Sequence, residues 1–226
     1  HSPRVPGFGV AAFNLPCYEC CGDFYDYFVI DDINTSFTIS DAEGKGLPAA
    51  LYAFQLKSYL QACFELTKNP LEVITRLNRF LSKVTERHLT FATLFLGILN
   101  HEECSFTYVS AGHSYPLLIK ESGSPVFLRE GNNPILGIDT NARYTEKGHI
   151  HLEKGDVLIL YTDGITDAAN EKGERLGEEG LITIAAKHRS LNAQDIIKTI
   201  AREVKNYSGT KRQFDDITLI VIKRYD

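Results

Sequence analysis

Aspartates recur in this sequence at the ends of predicted strands, in four separate segments of the chain. The residues are Asp23, Asp26, Asp41, Asp163, Asp215 and Asp216. Strand ends are where loops gather over a rigid scaffold and build sites. Carboxylates that meet there repel one another unless protons or cations neutralise them. The pattern therefore indicates a cation site, although any one of these residues, and Asp-Gly above all, is also an ordinary turn residue.

An all-oxygen ligand set with few histidines favours a hard cation, Mg²⁺ or Mn²⁺. Two such ions about 3.5–4 Å apart can bind a phosphoryl oxygen and activate a water, which makes phosphate-ester hydrolysis the leading interpretation. Other phosphate chemistries lack their motifs. Lys45 is followed by Gly46 and Leu47 rather than by the hydroxyl residue of a P-loop. No cysteine has an arginine six residues later, Tyr161 stands where an aspartyl-phosphate nucleophile would be, and no G-x-S-x-G elbow occurs.

The strands that would carry these acids are predicted from apolar patterning. Tyr27–Ile30 and Thr35–Ser40 flank the turn-like DDIN. Four later segments separated by NHEE and ESGS predict an antiparallel meander: TFATLFLGIL, SFTYVSAG, YPLLIK and PVFLRE. DVLILYTDG is typical of a buried strand that ends in acid and glycine. The last strand, Asp216–Arg224, is apolar on both faces, which predicts a central position in its sheet.

A helix is predicted from Pro48, because proline suits a first turn and the apolar period lengthens there. Its apolar side consists of Leu51, Phe54, Tyr59, Cys63 and Phe64. Asn69 is a candidate N-cap for a second helix, and two more are expected near Glu178–His188 and Ala193–Tyr207. Because strands and helices come in blocks, the expected class is α+β, with antiparallel sheets covered by helices.

A length of 226 residues, of which 43% are hydrophobic, allows one large domain with a well-covered core, or two small ones. A net charge of −5 without any Lys/Arg-rich run argues against nucleic-acid binding. The sequence has no apolar run that would span a bilayer and no signal-peptide pattern at its start.

The five cysteines, an odd number, are typical of reduced thiols, so a cytoplasmic location is expected. CYECC (Cys17–Cys21) could suggest zinc, but a structural zinc site needs four ligands, usually in two pairs. Cys63 and Cys104 are isolated in the sequence. Small, half-buried side chains are therefore the favoured interpretation of these cysteines.

Together the motifs resemble the PPM metal-dependent protein phosphatases, and most closely their bacterial SpoIIE/RsbU-like branch. The matching blocks follow the family's order: CGDFYD, ISDAEGKGLPAA, LTFATLFLGIL, YVSAGHSYPLLI, LGI, LEKGDVLILYTDGITDA and FDDITLIVI. They extend from about Pro6 to Lys223. The resemblance implies a four-layer α-β-β-α sandwich, two antiparallel sheets flanked by helices. It also implies a serine/threonine phosphatase with two Mn²⁺ or Mg²⁺ ions.

The resemblance assigns roles to individual residues. The implied metal ligands are Asp23, Asp41, the Ala42 carbonyl, Asp163 and Asp215, with Asp167 helping to hold a third, weaker ion. Asp41 would bridge both main ions, and Asp23 and Asp41 are the implied catalytic pair. Asp216 is less favoured than Asp215 as the last ligand, although the Asp-Asp sequence leaves the choice ambiguous.

Two positions depart from the family pattern: Cys21 where glycine is common, and Glu43 where a small hydroxyl residue is common. Neither change removes a ligand. Two further residues are candidates for substrate binding. Lys45 could meet the phosphate as a point charge, or be a solvated turn lysine. His113, in AGHSYP, could be a general acid for the leaving alkoxide, or a histidine that hydrogen-bonds within a hairpin.

The function implied is hydrolysis of phosphoserine or phosphothreonine on a protein, typically an anti-sigma-factor antagonist in bacterial partner-switching and stress signalling. The resemblance also implies that residues 1–226 form a single catalytic domain, the C-terminal part of a longer sensor protein with an upstream sensor domain or regulator. No direct membrane contact of this domain is expected, and a homodimer is left open. Two alternatives stand: a catalytically weak regulatory module of the same fold, and a hydrolase of small-molecule phosphates.

Overall fold

The computed structural model describes residues 3–84, 90–210 and 213–226. Leu89, the first residue of one family motif, lies outside these ranges. The helices are α1 (Leu47–Leu66), α2 (Pro70–Val84), α3 (Gly177–His188) and α4 (Ala193–Ser208). The strands are β1 (Phe8–Leu15), β2 (Asp23–Val29), β3 (Asn34–Ala42), β4 (Ala92–Asn100), β5 (Ser105–Ala111), β6 (Leu117–Ile119), β7 (Pro125–Phe127), β8 (Asn132–Asn133), β9 (Gly148–His151), β10 (Val157–Tyr161) and β11 (Ile217–Arg224).

The chain divides into two compact units. Unit 1 consists of the chain up to Cys17, of Ser114–Leu128 and of the chain from Leu152 onward. Its five-stranded sheet has the order β1-β11-β10-β6-β7, and every pair is antiparallel. Helices α3 and α4 pack on this sheet through a core that includes Ile200 and Val221. Because β11 lies between β1 and β10, the predicted central position of the last strand is confirmed.

Unit 2 consists of Tyr18–His113 and Arg129–His151. Its sheet has the order β2-β3-β4-β5-β8, and β9 also pairs with β5. Helices α1 and α2 pack on it through a core that includes Leu56, Leu77 and Leu94. The two-residue strand β8 runs parallel to β5, whereas the other pairs are antiparallel. The α+β prediction is therefore confirmed, with β8 as the exception to the antiparallel pairing.

Helix α1 carries apolar residues on two sides, and the sequence pattern favoured the wrong one for part of its length. Leu51 and Phe54 are 52% and 69% exposed, so their predicted place on the buried side is wrong. Ala53, Leu56 and Cys63 are buried instead, and Cys63 was predicted correctly. Since α1 packs against β2 and β3, its small alanines fit the close approach to the sheet that larger side chains would prevent.

Several element boundaries also differ from the prediction. Strand β2 begins at Asp23, so Asp23 and Asp26 lie within a strand rather than before it. The single meander is wrong, because β4 and β5 form a hairpin in unit 2 whereas β6 and β7 form one in unit 1. Strands β1, β8 and β9 were not predicted. The cap of α2 is confirmed, since Asn69 Oδ1 accepts a hydrogen bond from Leu71 N at 3.1 Å.

None of the four helices in the described ranges is long and apolar enough to cross a membrane.

Candidate functional site

Two of the predicted ligands face each other across adjacent strands of unit 2. Asp23, the first residue of β2, and Asp41, the last but one of β3, are register partners in the antiparallel ladder. Directly opposite side chains have Cβ atoms about 4.5–5.5 Å apart, and like charges there are destabilising. Asp23 is only 5% exposed. A buried carboxylate opposite a second one requires a compensating cation or proton, so these residues fit a hard-cation site.

The backbone beside Asp41 is closely packed. A Cβ on Gly22 would lie 3.1 Å from the Ala42 carbonyl oxygen and 3.1 Å from Ala49 Cβ, tighter than most real contacts. Ala42 N donates to Gly22 O at 3.3 Å. The residue that approaches the Ala42 carbonyl closely is thus Gly22, which matches the family pattern. Cys21 is the residue that differs from that pattern.

Asp26 has a different environment from Asp23, because residues three apart on a strand point to opposite faces. Its carboxylate accepts a hydrogen bond from Gln61 Nε2 at 2.9 Å and lies 3.5 Å from Lys57 Nζ, both on α1. Asp26 therefore joins α1 to the sheet, and Asp23 is the acid left for a ligand role.

His113 is connected to the Asp41 position through β4. Thr93 is the register partner of Asp41 on the other side of β3, and its Oγ1 lies 2.7 Å from His113 Nδ1. His113 is buried, and its backbone N donates to Ser110 Oγ at 3.3 Å. These contacts match the hairpin interpretation of His113. They also place its ring next to Thr93, the residue opposite Asp41 in the ladder. Lys45 is exposed in the turn after β3.

Unit 1 brings together the other predicted ligands at adjoining ends of β10 and β11. Asp167 N donates to Asp163 O at 2.7 Å, which closes a turn after β10. A Cβ on Gly164 would lie 1.9 Å from Asp216 O and 3.5 Å from the carbonyl carbon of Asp215. The glycine after Asp163 therefore permits the two ligand-bearing backbones to touch.

The adjacent residues Asp215 and Asp216 have different surroundings. Asp216 is buried, and its Oδ1 accepts a hydrogen bond from Cys17 N at 2.7 Å. Its carboxylate thus holds the start of the segment that follows β1. Asp215 is half-buried and lies on the wall of a cavity, with one oxygen accepting from Asp216 N at 3.0 Å. Asp215 as the last metal ligand stays a prediction.

Asp167 makes an ion pair that the sequence did not suggest. Arg175 Nη1 donates to Asp167 Oδ1 at 2.8 Å, and both side chains are largely exposed. Ala169 and Arg175 form an isolated antiparallel bridge, so a hairpin presents the guanidinium to the turn. Nothing in the spacing of these residues signals the contact, because it depends on that hairpin. Thr93 was missed for the same reason, since its role depends on strand register.

Across residues 3–84, 90–210 and 213–226, no group of three or more His, Cys, Asp or Glu side chains has the arrangement of a metal site. The predicted ligands occur instead as two pairs, Asp23 with Asp41 and Asp163 with Asp215. The five cysteines, which all lie in the described ranges, form no disulfide, and Cys17, Cys20 and Cys21 are half-buried, as the sequence predicted.

Comparisons with known proteins agree on one family. The sequence profile of Stage II sporulation protein E (SpoIIE) matches residues 31–225. Phosphoserine phosphatase RsbU of Bacillus subtilis (strain 168) is 30% identical over 222 residues, 98% of this chain and 65% of RsbU. Protein IcfG of Synechocystis is 26% identical over 248 residues, 98% of this chain and 39% of IcfG. The chain thus spans less than two thirds of either relative.

Solved structures share the fold. The SiaA-PP2C domain of Pseudomonas aeruginosa superposes with a TM-score of 0.85 at 20% identity, over 96% of this chain and 86% of that one. The RsbU and RsbW domains of Rv1364c from Mycobacterium tuberculosis give 0.82 at 25% identity, over 99% and 61%. RsbX, solved in complex with magnesium, gives 0.71 at 21% identity, over 97% and 96%. The chain belongs to the SpoIIE family.

Proposed function

We propose that this chain removes the phosphoryl group from phosphoserine or phosphothreonine on a protein, with Mn²⁺ or Mg²⁺ held by Asp23, Asp41, Asp163 and Asp215. The observation that carries the proposal is the register pairing of Asp23 with Asp41, in a chain of the SpoIIE family. This all-carboxylate pair, with Asp23 buried and Asp41 half-buried, suits hard cations and offers no soft ligand.

Each residue has a defined task in this proposal. Bound ions would supply a water of lowered pKa and positive charge for the phosphoryl oxygens. Asp41, the Ala42 carbonyl and Asp23, which is buried in β2, would hold the ions in unit 2. Asp167 would help to hold a third, weaker ion. His113, whose ring Thr93 positions, is the candidate proton donor to the leaving oxygen.

The proposed partners follow from the relatives. RsbU is named a phosphoserine phosphatase, and Rv1364c combines RsbU and RsbW domains, which supports a role in partner-switching signalling. We propose an anti-sigma-factor antagonist as the phosphoprotein substrate, a cytoplasmic location, and control by a sensor domain or separate regulator. Lys45, exposed in the turn after β3, is the candidate contact to the substrate phosphate.

The test measures phosphate release from p-nitrophenyl phosphate, a phosphoserine peptide and glucose 6-phosphate, each with Mn²⁺ and with EDTA. The proposal predicts Mn²⁺-dependent release from the first two and little from the sugar phosphate. Preference for the sugar phosphate would make the chain a small-molecule hydrolase. Lack of Mn²⁺-dependent release from all three would leave a regulatory module of the same fold.

A further inference from the structure

A cavity of about 510 Å³ opens within unit 1, between β1, the loop after β10 and the C-terminal half of α4. Its volume lies in the range of about 300–1,000 Å³ that is typical of ligand sites. Apolar side chains form much of its lining, among them Phe13, Val204 and Ile217. Ala201 also lines it, and because this side chain is small it leaves open space along α4.

The mouth of the cavity is apolar as well as charged. Leu15 and Phe214 both line the cavity and are 41% and 68% exposed, so two large apolar side chains are open to solvent at the same cavity. The Asp167–Arg175 ion pair and Lys205 supply the charged rim. An apolar centre with a polar rim is the anatomy of a protein-recognition surface.

The side-chain amide of Gln213 connects two parts of the cavity wall. Gln213 Nε2 donates to Leu15 O and to Asp215 O, both at 2.8 Å. One side chain thus ties the end of β1 to the segment that carries a predicted metal ligand. A wall held in this way is preorganised, so less ordering entropy is lost when a partner binds.

We propose that this cavity takes an apolar side chain of the phosphoprotein substrate, from a residue close in sequence to the phosphoserine. The inference rests on the proposed function, because it uses Asp215 as a metal ligand. Asp215 lines the cavity. A substrate side chain bound in the cavity would therefore lie close to the ion proposed at Asp215, and so close to the phosphoserine of the same peptide. In protein interfaces a few buried anchor residues contribute most of the binding energy. An apolar side chain in this cavity would be such an anchor.

The test measures binding separately from catalysis. Fluorescein-labelled phosphoserine peptides, in which one leucine is moved along an otherwise leucine-free sequence, are titrated with the whole chain in EDTA. Fluorescence anisotropy reports binding. At one or two leucine positions the wild-type chain should bind at least about tenfold tighter than the leucine-free peptide, as expected for burying one such side chain. Equal affinity for all the peptides would overturn the proposal.

Ala201→Phe fills the cavity and should abolish the preference for leucine. The matched control is Asn206→Phe, which places the same ring on an exposed position of α4 outside the cavity lining and should retain the preference. If Ala201→Phe does not fold by circular dichroism, Ser208→Phe at the cavity serves in its place. A cavity-filling variant that folds and keeps the full preference would overturn the proposal.

Displacement of the fluorescent anion 1-anilinonaphthalene-8-sulfonate (ANS) shows whether the cavity binds a peptide side chain or a small amphipathic molecule. Peptides with the preferred leucine should displace ANS from the wild-type chain. Decanoate should displace ANS no more effectively than these peptides. Displacement by decanoate and by none of the peptides would overturn the proposal in favour of a small amphipathic molecule. Hydrolysis of p-nitrophenyl phosphate with Mn²⁺, measured on the same preparation, tests the proposed function separately from the cavity.

Discussion

The contact between the ends of β10 and β11 can be tested with one methyl group. Gly164→Ala would place a Cβ 1.9 Å from Asp216 O, whereas real contacts of this kind essentially never fall below 3.0 Å. The two backbones would have to separate by about 1.1 Å, the difference between these distances. Gly164 is not among the glycines with positive φ, so the effect is steric rather than conformational.

The expected cost follows from what that separation breaks. Thr162 N donates to Thr218 O at 3.1 Å, and Thr218 N donates to Thr162 Oγ1 at 3.0 Å. Each such bond contributes about 1 kcal/mol net, and forcing extra volume into packed structure costs about 1–3 kcal/mol. Gly164→Ala should therefore lower the free energy of unfolding by about 3–5 kcal/mol, the sum of these contributions. It should also weaken Mn²⁺ binding at least about tenfold, because Asp163 and Asp215 move apart.

Urea unfolding in EDTA measures the stability change at constant m-value, and calorimetric titration measures Mn²⁺ affinity. Gly173→Ala is the matched control in the same loop. Its φ of 88° makes alanine strained, at about 1–2 kcal/mol, but a Cβ there meets nothing within 4 Å. This control should keep the wild-type Mn²⁺ affinity. If Gly164→Ala has wild-type stability and wild-type Mn²⁺ affinity, the close backbone contact is not a feature of the protein.

Three further outcomes are expected. Asp156→Ala should lower the free energy of unfolding by about 3–5 kcal/mol in urea titrations, because Lys120 Nζ, Glu121 N and Glu153 N all donate to this fully buried carboxylate, at 2.9, 3.1 and 3.0 Å, and would lose that acceptor. The Lys68 ammonium lowers the pKa of Asp31 from 3.8 to about 2, so this carboxylate stabilises the fold above pH 4 and loses that effect as pH falls towards 2. Acid unfolding of Asp31→Asn should therefore differ from wild type at pH 5 but converge with it near pH 2; a constant offset would contradict this. Burial raises the pKa of the Cys63 thiol, so mass spectrometry should find this cysteine unmodified by iodoacetamide while Mn²⁺-dependent activity persists.

The sequence predicted the elements best where one local signal decides. Asn69 is a cap because its side chain reaches the amide of Leu71, and the last strand is central because both its faces are apolar. It failed at α1, where apolar residues occupy two sides of the helix. Which side meets the sheet depends on how closely β2 and β3 approach, and the exposed Phe54 shows that periodicity alone could not decide.

The sequence predicted the site as a set of acids, but it could not predict the different contacts that the individual acids make. Asp216 is distinguished from Asp215 by a hydrogen bond from Cys17, about 200 positions earlier in the chain. Asp26 is distinguished from Asp23 by its contacts with α1. Neither contact has a local pattern, because each depends on which strands and helices become neighbours. The aspartates could be predicted as candidate ligands because apolar patterning in the sequence shows where strands end.

The most direct test of the account compares Asp41→Asn with wild type in Mn²⁺-dependent release of phosphate from a phosphoserine peptide. Asparagine keeps the shape of the side chain but removes the charge needed to bridge two cations. We predict a loss of at least about 1,000-fold in kcat, with far-UV circular dichroism unchanged. Asp26→Asn, the control in the partner strand β2, should stay within about threefold of wild type. Substantial Mn²⁺-dependent turnover by Asp41→Asn would contradict the account.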